Sequence, residues 1–159
     1  ARGATSFVPP DGTCDYVFYD SLYKNGKNNL LNGLDKLEIV VQHFIGLASR
    51  FKQSKFGFSF APEPVFQREF KDPLFLAYID AIYGTYNISH YGFLDLYKQY
   101  AEHAMVTEAL NALKVLYLHL KPKNTATRTS YYVIGLSLDN PASGQILNLM
   151  KTVFAPSMF

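Results

Sequence analysis

The sequence predicts an α/β fold of four β-α units with parallel strands, forming a partial or half (βα) barrel. Three observations carry this expectation. Short apolar runs rich in β-branched and aromatic residues alternate four times with apolar stripes of helical period. The strand starts, near residues 16, 56, 91 and 131, recur at about 35–40 residues, a little longer than the ~31 per unit of an eight-fold barrel of ~250 residues. The 159 residues are 48% hydrophobic and 18% charged, which suits one domain with a real core rather than a disordered chain. Alternating strands and helices imply parallel pairing and right-handed crossovers.

Each element has its own signal. Pro9-Pro10-Asp11-Gly12 is a turn that opens the first strand. Tyr16-Val17-Phe18-Tyr19 is apolar on both faces, as a buried parallel strand is, and runs out at Asp20-Ser21. After the polar loop Lys24–Asn29, a helix is expected with Leu30, Leu34, Leu37, Val41, Phe44, Ala48 and Phe51 on one stripe. Asn28 or Asn29 suits its N-cap. Phe56-Gly57-Phe58-Ser59-Phe60 alternates strictly and is stopped by Pro62 and Pro64. Asp72-Pro73 reads as a cap followed by Pro at the first helical position, starting a helix with Leu74, Tyr78, Ile79, Ile82 and Tyr86.

The third strand is expected within His90–Leu96, and a helix then carries Val106, Ala109, Leu113, Leu116, Tyr117 and Leu120 up to Pro122. Tyr131–Leu136 is the fourth strand, and Ser143-Gly144 opens a last helix with Ile146, Leu149, Met150 and Val153. Four such units raise a physical problem. Parallel strands need both faces covered, and a closed barrel of this kind needs eight strands. The 1–159 chain is therefore read as a single (βα)4 domain that belongs to a longer barrel, pairs with another copy, or folds as an open doubly wound sheet.

The composition narrows the function classes. Lys and Arg number 15 against 13 Asp and Glu, a balance that excludes nucleic-acid binding driven by bulk charge. No run approaches the ~18 apolar residues of a membrane span. No G-x-G-x-x-G, Walker-type G-K-[ST] or G-x-S-x-G occurs. His43, His103 and His119 stand at no metal-ligand spacing, so neither metal nor cofactor is expected.

The compartment signals point to secretion. Ala1 stands where Met is usual, as in a chain whose signal segment has been removed or one that starts at a chosen point. The apolar end, Ala155–Phe159, predicts a cut through a longer chain or a docked tail. Asn87-Ile88-Ser89 fits the N-glycosylation acceptor pattern. Cys14, the only cysteine, would in a secreted protein pair with another chain or a missing segment.

In a parallel αβ sheet, function sits at the C-terminal strand ends. Each end offers a carboxylate: Asp20, Glu63, Asp95 and Asp139. Converging carboxylates suit general acid–base work on a glycosidic bond, or a hard cation. Turn and cap chemistry explains Glu63 and Asp139 as well, as in Asp139-Asn140-Pro141. Asp20 and Asp95 end apolar runs, where a charge is costly without a purpose, and are the catalytic candidates. Most tyrosines are expected in the core. Tyr23 and Tyr97 lie at the expected rim, placed to stack on a sugar or bind a protein. His90 is expected at the opposite end, in a structural role.

Asp11-Gly12-Thr13-Cys14-Asp15-Tyr16-Val17-Phe18-Tyr19 resembles the segment of glycoside hydrolase family 18 chitinases and chitinase-like proteins in which a Cys leads a strand toward an aromatic-rich end. Phe56–Phe60 is similar in position to their next strand, and His90–Tyr97 falls where their catalytic strand would come. The Pro-Pro-Asp-Gly-x-Cys-Asp-Tyr phrase is similar to the opening of secreted chitinase-like proteins of arthropods such as ticks. The likeness covers most of the chain as an order of elements, while specific residues match in short patches.

The resemblance implies a barrel scaffold and a carbohydrate-related origin, but its D-G-x-D-x-D-x-E pattern is missing. Aligning Gly92 with the family glycine puts Tyr97 and Lys98 where Trp and the acid Glu would stand. Removing that acid forfeits the family's hydrolysis, and the absence of Trp counts against a chitin cleft. The expected function is therefore that of a secreted, non-catalytic chitinase-like protein. It would bind a carbohydrate, another ligand or a partner protein at a rim of Asp20, Tyr23, Glu63, Asp95, Tyr97 and Asp139. The alternatives are a hydrolase using Asp20 and Asp95, and a self-assembling protein whose sheet edges are covered by further copies.

Overall fold

A computed structural model describes residues 8–96, 103–136 and 143–158. Four strands, β1 (Tyr16–Leu22), β2 (Lys55–Phe60), β3 (Ile88–Phe93) and β4 (Tyr132–Ile134), form one all-parallel sheet in the order β1-β2-β3-β4. The helices are α1 (Ile39–Ala48), α2 (Pro64–Glu69), α3 (Pro73–Tyr86), α4 (His103–Leu120) and α5 (Ser143–Thr152).

The strand order never reverses, so right-handed crossovers carry the connecting helices to one face. A doubly wound sheet needs a reversal, and that alternative is thereby excluded in favour of the partial barrel. Accordingly, α1 packs on α3, α3 and α4 pack on β3, and α5 packs on α4. Among the described residues no helix is long and apolar enough to cross a membrane.

The alternation of β2 sends Phe56, Phe58 and Phe60 to the helical face, all of them buried. Phe56 meets Phe44 of α1 at 5.0 Å, and Phe60 stacks on Phe66 of α2 at 4.7 Å. Phe58 lies in register with Tyr91, and Tyr91 with Tyr132, so an aromatic ladder crosses the sheet. The buried Tyr91 hydroxyl donates to the Ile88 carbonyl at 2.8 Å, which satisfies its polar end locally.

The opposite face sets glycines against larger side chains. Gly57 lies in register with Phe18 and His90, and Gly92 with Val133. Over this face the rings of Tyr16 and Tyr131 lean together, 5.6 Å apart, with His90 beneath them at 5.2 and 5.1 Å. A Cβ on Gly92 would press on the Val133 carbonyl oxygen and lie 3.1 Å from that residue's own Cβ. Gly92→Ala is therefore expected to force β3 and β4 apart and cost about 1–3 kcal/mol, read as a lower denaturant midpoint.

Three expectations need correction. The helix expected from Leu30 to Phe51 is broken: Leu30–Asn32 and Leu34–Lys36 are single 3-10 turns, and the α-helix begins only at Ile39. Gly33, at φ 99° and ψ 147°, separates the turns, and extended Leu37 ends the second. The stripe itself is real, because Leu30, Leu37, Val41, Phe44 and Ala48 are all buried. Asn28 is not the adjacent N-cap; its side chain instead accepts from the amide of Glu38, the residue that precedes α1.

β3 reaches back to Ile88 and stops at Phe93, so His90 lies inside the strand rather than at its edge and Asp95 lies beyond it. A short helix, α2, lies beyond the expected stop of β2, and Pro64 takes its first turn. Where the expected helices do appear, their caps hold. Asp72 accepts from the Leu74 amide at 2.8 Å, and Asn87 closes α3 in the left-handed region at φ 59°.

The last described residues add to the sheet edge. The Ser157 amide donates to the Tyr132 carbonyl at 2.7 Å, and Met158 pairs in parallel with Val133. The tail segment is thus docked on β4.

Candidate functional site

At the C-terminal ends of β1, β2 and β3 lies a cleft of about 400 Å³ lined by Lys24, Asn25, Glu63, Asp95 and Met105, with Ala61, Pro62 and Pro64 as a wall. The loop after β1 forms one side. It turns tightly because Tyr23, Asn25 and Gly26 all take left-handed angles, φ 68°, 55° and 70°. Asn-Gly is the dipeptide best suited to that conformation.

This turn points successive amides at Glu63, the residue before α2. Its carboxylate accepts from Asn25 N at 2.6 Å and from Gly26 N at 3.1 Å. Flanking prolines, Pro62 and Pro64, limit the backbone on which Glu63 stands. Across the cleft, Asp95 is largely shielded, its side chain 13% exposed, and takes Lys24 Nζ at 3.3 Å. Both carboxylates are therefore already bonded to donors of the chain, and they tie the β1 loop to the ends of β2 and β3.

The structure brings together only part of the expected rim. Glu63 and Asp95 share the cleft. Asp20 does not join them; it is exposed and lines a separate hollow with Val8, Val17, Val40, His43 and Phe44. A pair formed by Asp20 and Asp95 thus has no common cleft. Tyr23 is corrected outright: it is fully buried, and its hydroxyl oxygen accepts from the Leu30 amide at 3.0 Å. Burial first, and the neighbouring Glu69 carboxylate, push this phenol well above its ordinary range, although the Leu30 bond opposes them. No face of that ring is open to a ligand.

Tyr97 and Asp139 lie outside the described residues. Cys14 is a free, exposed thiol ahead of β1. Asn87 is exposed at the C-terminus of α3. Lys24, Asn25 and Met105 are site residues that the sequence reasoning missed. The Asn25-Gly26 turn signal could have found the first two; nothing local marks Met105, which reaches the cleft from α4. No protein-family model, curated protein or solved structure significantly matches this chain.

Proposed function

We propose that this chain is a secreted, non-catalytic, chitinase-like binding protein that takes a carbohydrate in the cleft between the β1 loop and the ends of β2 and β3. The observation that carries the reading is the engagement of both cleft carboxylates, Glu63 by two loop amides and Asp95 by Lys24. Held in this way they shape a polar surface rather than standing as an acid–base pair. Lys24, Asn25, Glu63 and Asp95 supply polar groups beside the apolar Pro62, Pro64 and Met105. A sugar, with hydroxyls around its rim and an apolar ring face, matches that pattern.

Titrating the protein with the N-acetylglucosamine tetramer tests the reading. The amides of Asn25, Gly26 and Ala61 should shift in nuclear magnetic resonance spectra, with no shorter oligomer released. Lys24→Met should weaken binding about tenfold, the effect of one lost charge-assisted hydrogen bond. Equal responses from wild type and variant would place binding elsewhere, and shorter oligomers would assign hydrolysis.

A further inference from the structure

At the opposite end of the sheet, around the starts of β2 and β3, lies a second cavity of about 140 Å³ whose lining is basic. Lys52, Lys55 and Arg128 contribute three cations, and Ser54, Asn87 and Thr127 add hydroxyl and amide groups. Among the described residues no carboxylate lines it. Asp11, the acid bonded to this loop, turns its oxygens onto the amides of Lys52, Gln53 and Ser54 at 2.8–3.0 Å. Those bonds, led by that of Lys52, hold its carboxyl below the usual range. It leaves the lysine and arginine side chains of the cavity to other acceptors.

Arg128 is presented by a well-fixed loop. Its guanidinium lies over the Tyr83 ring at 4.0 Å. The Nε and Nη2 groups are shut off from water and have no hydrogen-bond partner. The loop that presents it is well tied. Thr125 and Arg128 exchange backbone hydrogen bonds at 3.0 and 3.2 Å. The Tyr83 hydroxyl donates to the Lys123 carbonyl at 3.1 Å, and Ser130 Oγ donates to Asn124 at 3.2 Å. The arginine is thus held in place before any ligand arrives.

We propose that this cavity is a binding site for a phosphate-type oxyanion, to which Lys52, Lys55 and Arg128 together supply positive charge. A planar guanidinium beside two ammonium groups is the donor set that a tetrahedral oxyanion takes. The space also fits: a water occupies about 30 Å³ of liquid, so the cavity equals roughly four or five waters, the scale of one five-atom oxyanion. The site is separate from the carbohydrate cleft and stands or falls independently of it.

The test is a titration of the amide spectrum with inorganic phosphate, beside sodium chloride at equal ionic strength. Phosphate should shift the amides of Ser54, Lys55, Thr127 and Arg128 and leave Asn25 and Gly26 unmoved. Arg128→Gln and the exposed Lys55→Gln should each raise the dissociation constant about tenfold, while Lys36→Gln should not. The second variant keeps the test open should Arg128→Gln fold poorly. Methyl phosphate binding as well would identify the end group of a larger ligand as the source. Binding of inorganic phosphate alone would identify the free ion; both results support the site. An equal response to chloride, or unchanged affinity in both cavity variants, overturns it.

Discussion

Phe60→Ala is expected to lower the unfolding free energy by about 3–5 kcal/mol, the range for emptying a buried aromatic position. In a chain of this size that corresponds to a fall of roughly 6–20 °C in the thermal midpoint. Phe60 ends β2 with no exposed surface, and its ring sits among five others. It stacks on Phe66 at 4.7 Å and reaches Tyr23 and Phe75 at 6.3 Å, Tyr91 at 6.3 Å and Phe93 at 5.9 Å. Those rings belong to the β1 loop, α2, α3 and β3, the elements that set Glu63 and Asp95 in place. The same substitution should therefore loosen the cleft. Phe51, half-buried and in contact with the Phe56 ring, provides the comparison, and Phe51→Ala should cost clearly less. Urea unfolding of both variants, with unchanged slope, measures the difference. A loss below about 1 kcal/mol at Phe60 would mean that the aromatic cluster collapses around the hole.

How much of this was legible follows from the range of each interaction. The strands were readable because alternation and aromatic content are local properties, and Phe56–Phe60 shows both. Parallel pairing followed from the interposed helices. The break at Gly33 is not legible, because the leucine stripe continues across it on both sides; a buried stripe needs only suitable spacing, not an unbroken helix. The start of β3 at Ile88 has no local mark, because Ser89 and His90 are polar by type, while in place both are buried strand residues.

The site divides in the same way. Glu63 and Asp95 could be named from their position after strands. Their partners could not, since Lys24 and Asp95 stand 71 residues apart and share no local signal. The position of Tyr23 in the chain suggests a rim. Its left-handed backbone, φ 68°, and the Leu30 amide draw it into the core instead.

Acidification should destabilise the fold through His90, and the sign follows from the geometry. Tyr131 N–H donates to His90 Nδ1 at 3.0 Å, so the imidazole must be neutral and carry its proton on Nε2, which faces Ser89 Oγ at 3.4 Å. Burial, followed by the nearby Lys55 charge, lowers the folded-state pKa to about 4 from an ordinary 6.5. Between those values the unfolded chain binds a proton that the folded chain refuses. Stability contributed by this group is complete above about pH 6.5, is lost as pH falls toward 4, and changes no further below.

A shift of this size amounts to about 3 kcal/mol. Protonation would also turn Nδ1 into a donor facing another donor, at the point where Tyr131 leads into β4. Tyr16 stands edge-on to His90, and Tyr131 is stacked on it, so the sheet edge should loosen with the bond. Urea unfolding at pH 7, 5.5 and 4.5 measures the slope, and His90→Gln should flatten it while lowering stability at pH 7. Equal wild-type stability at pH 7 and 4.5 would show that the imidazole is free to protonate in the folded state. Its hydrogen bond to Tyr131 would then not be what joins the two strands.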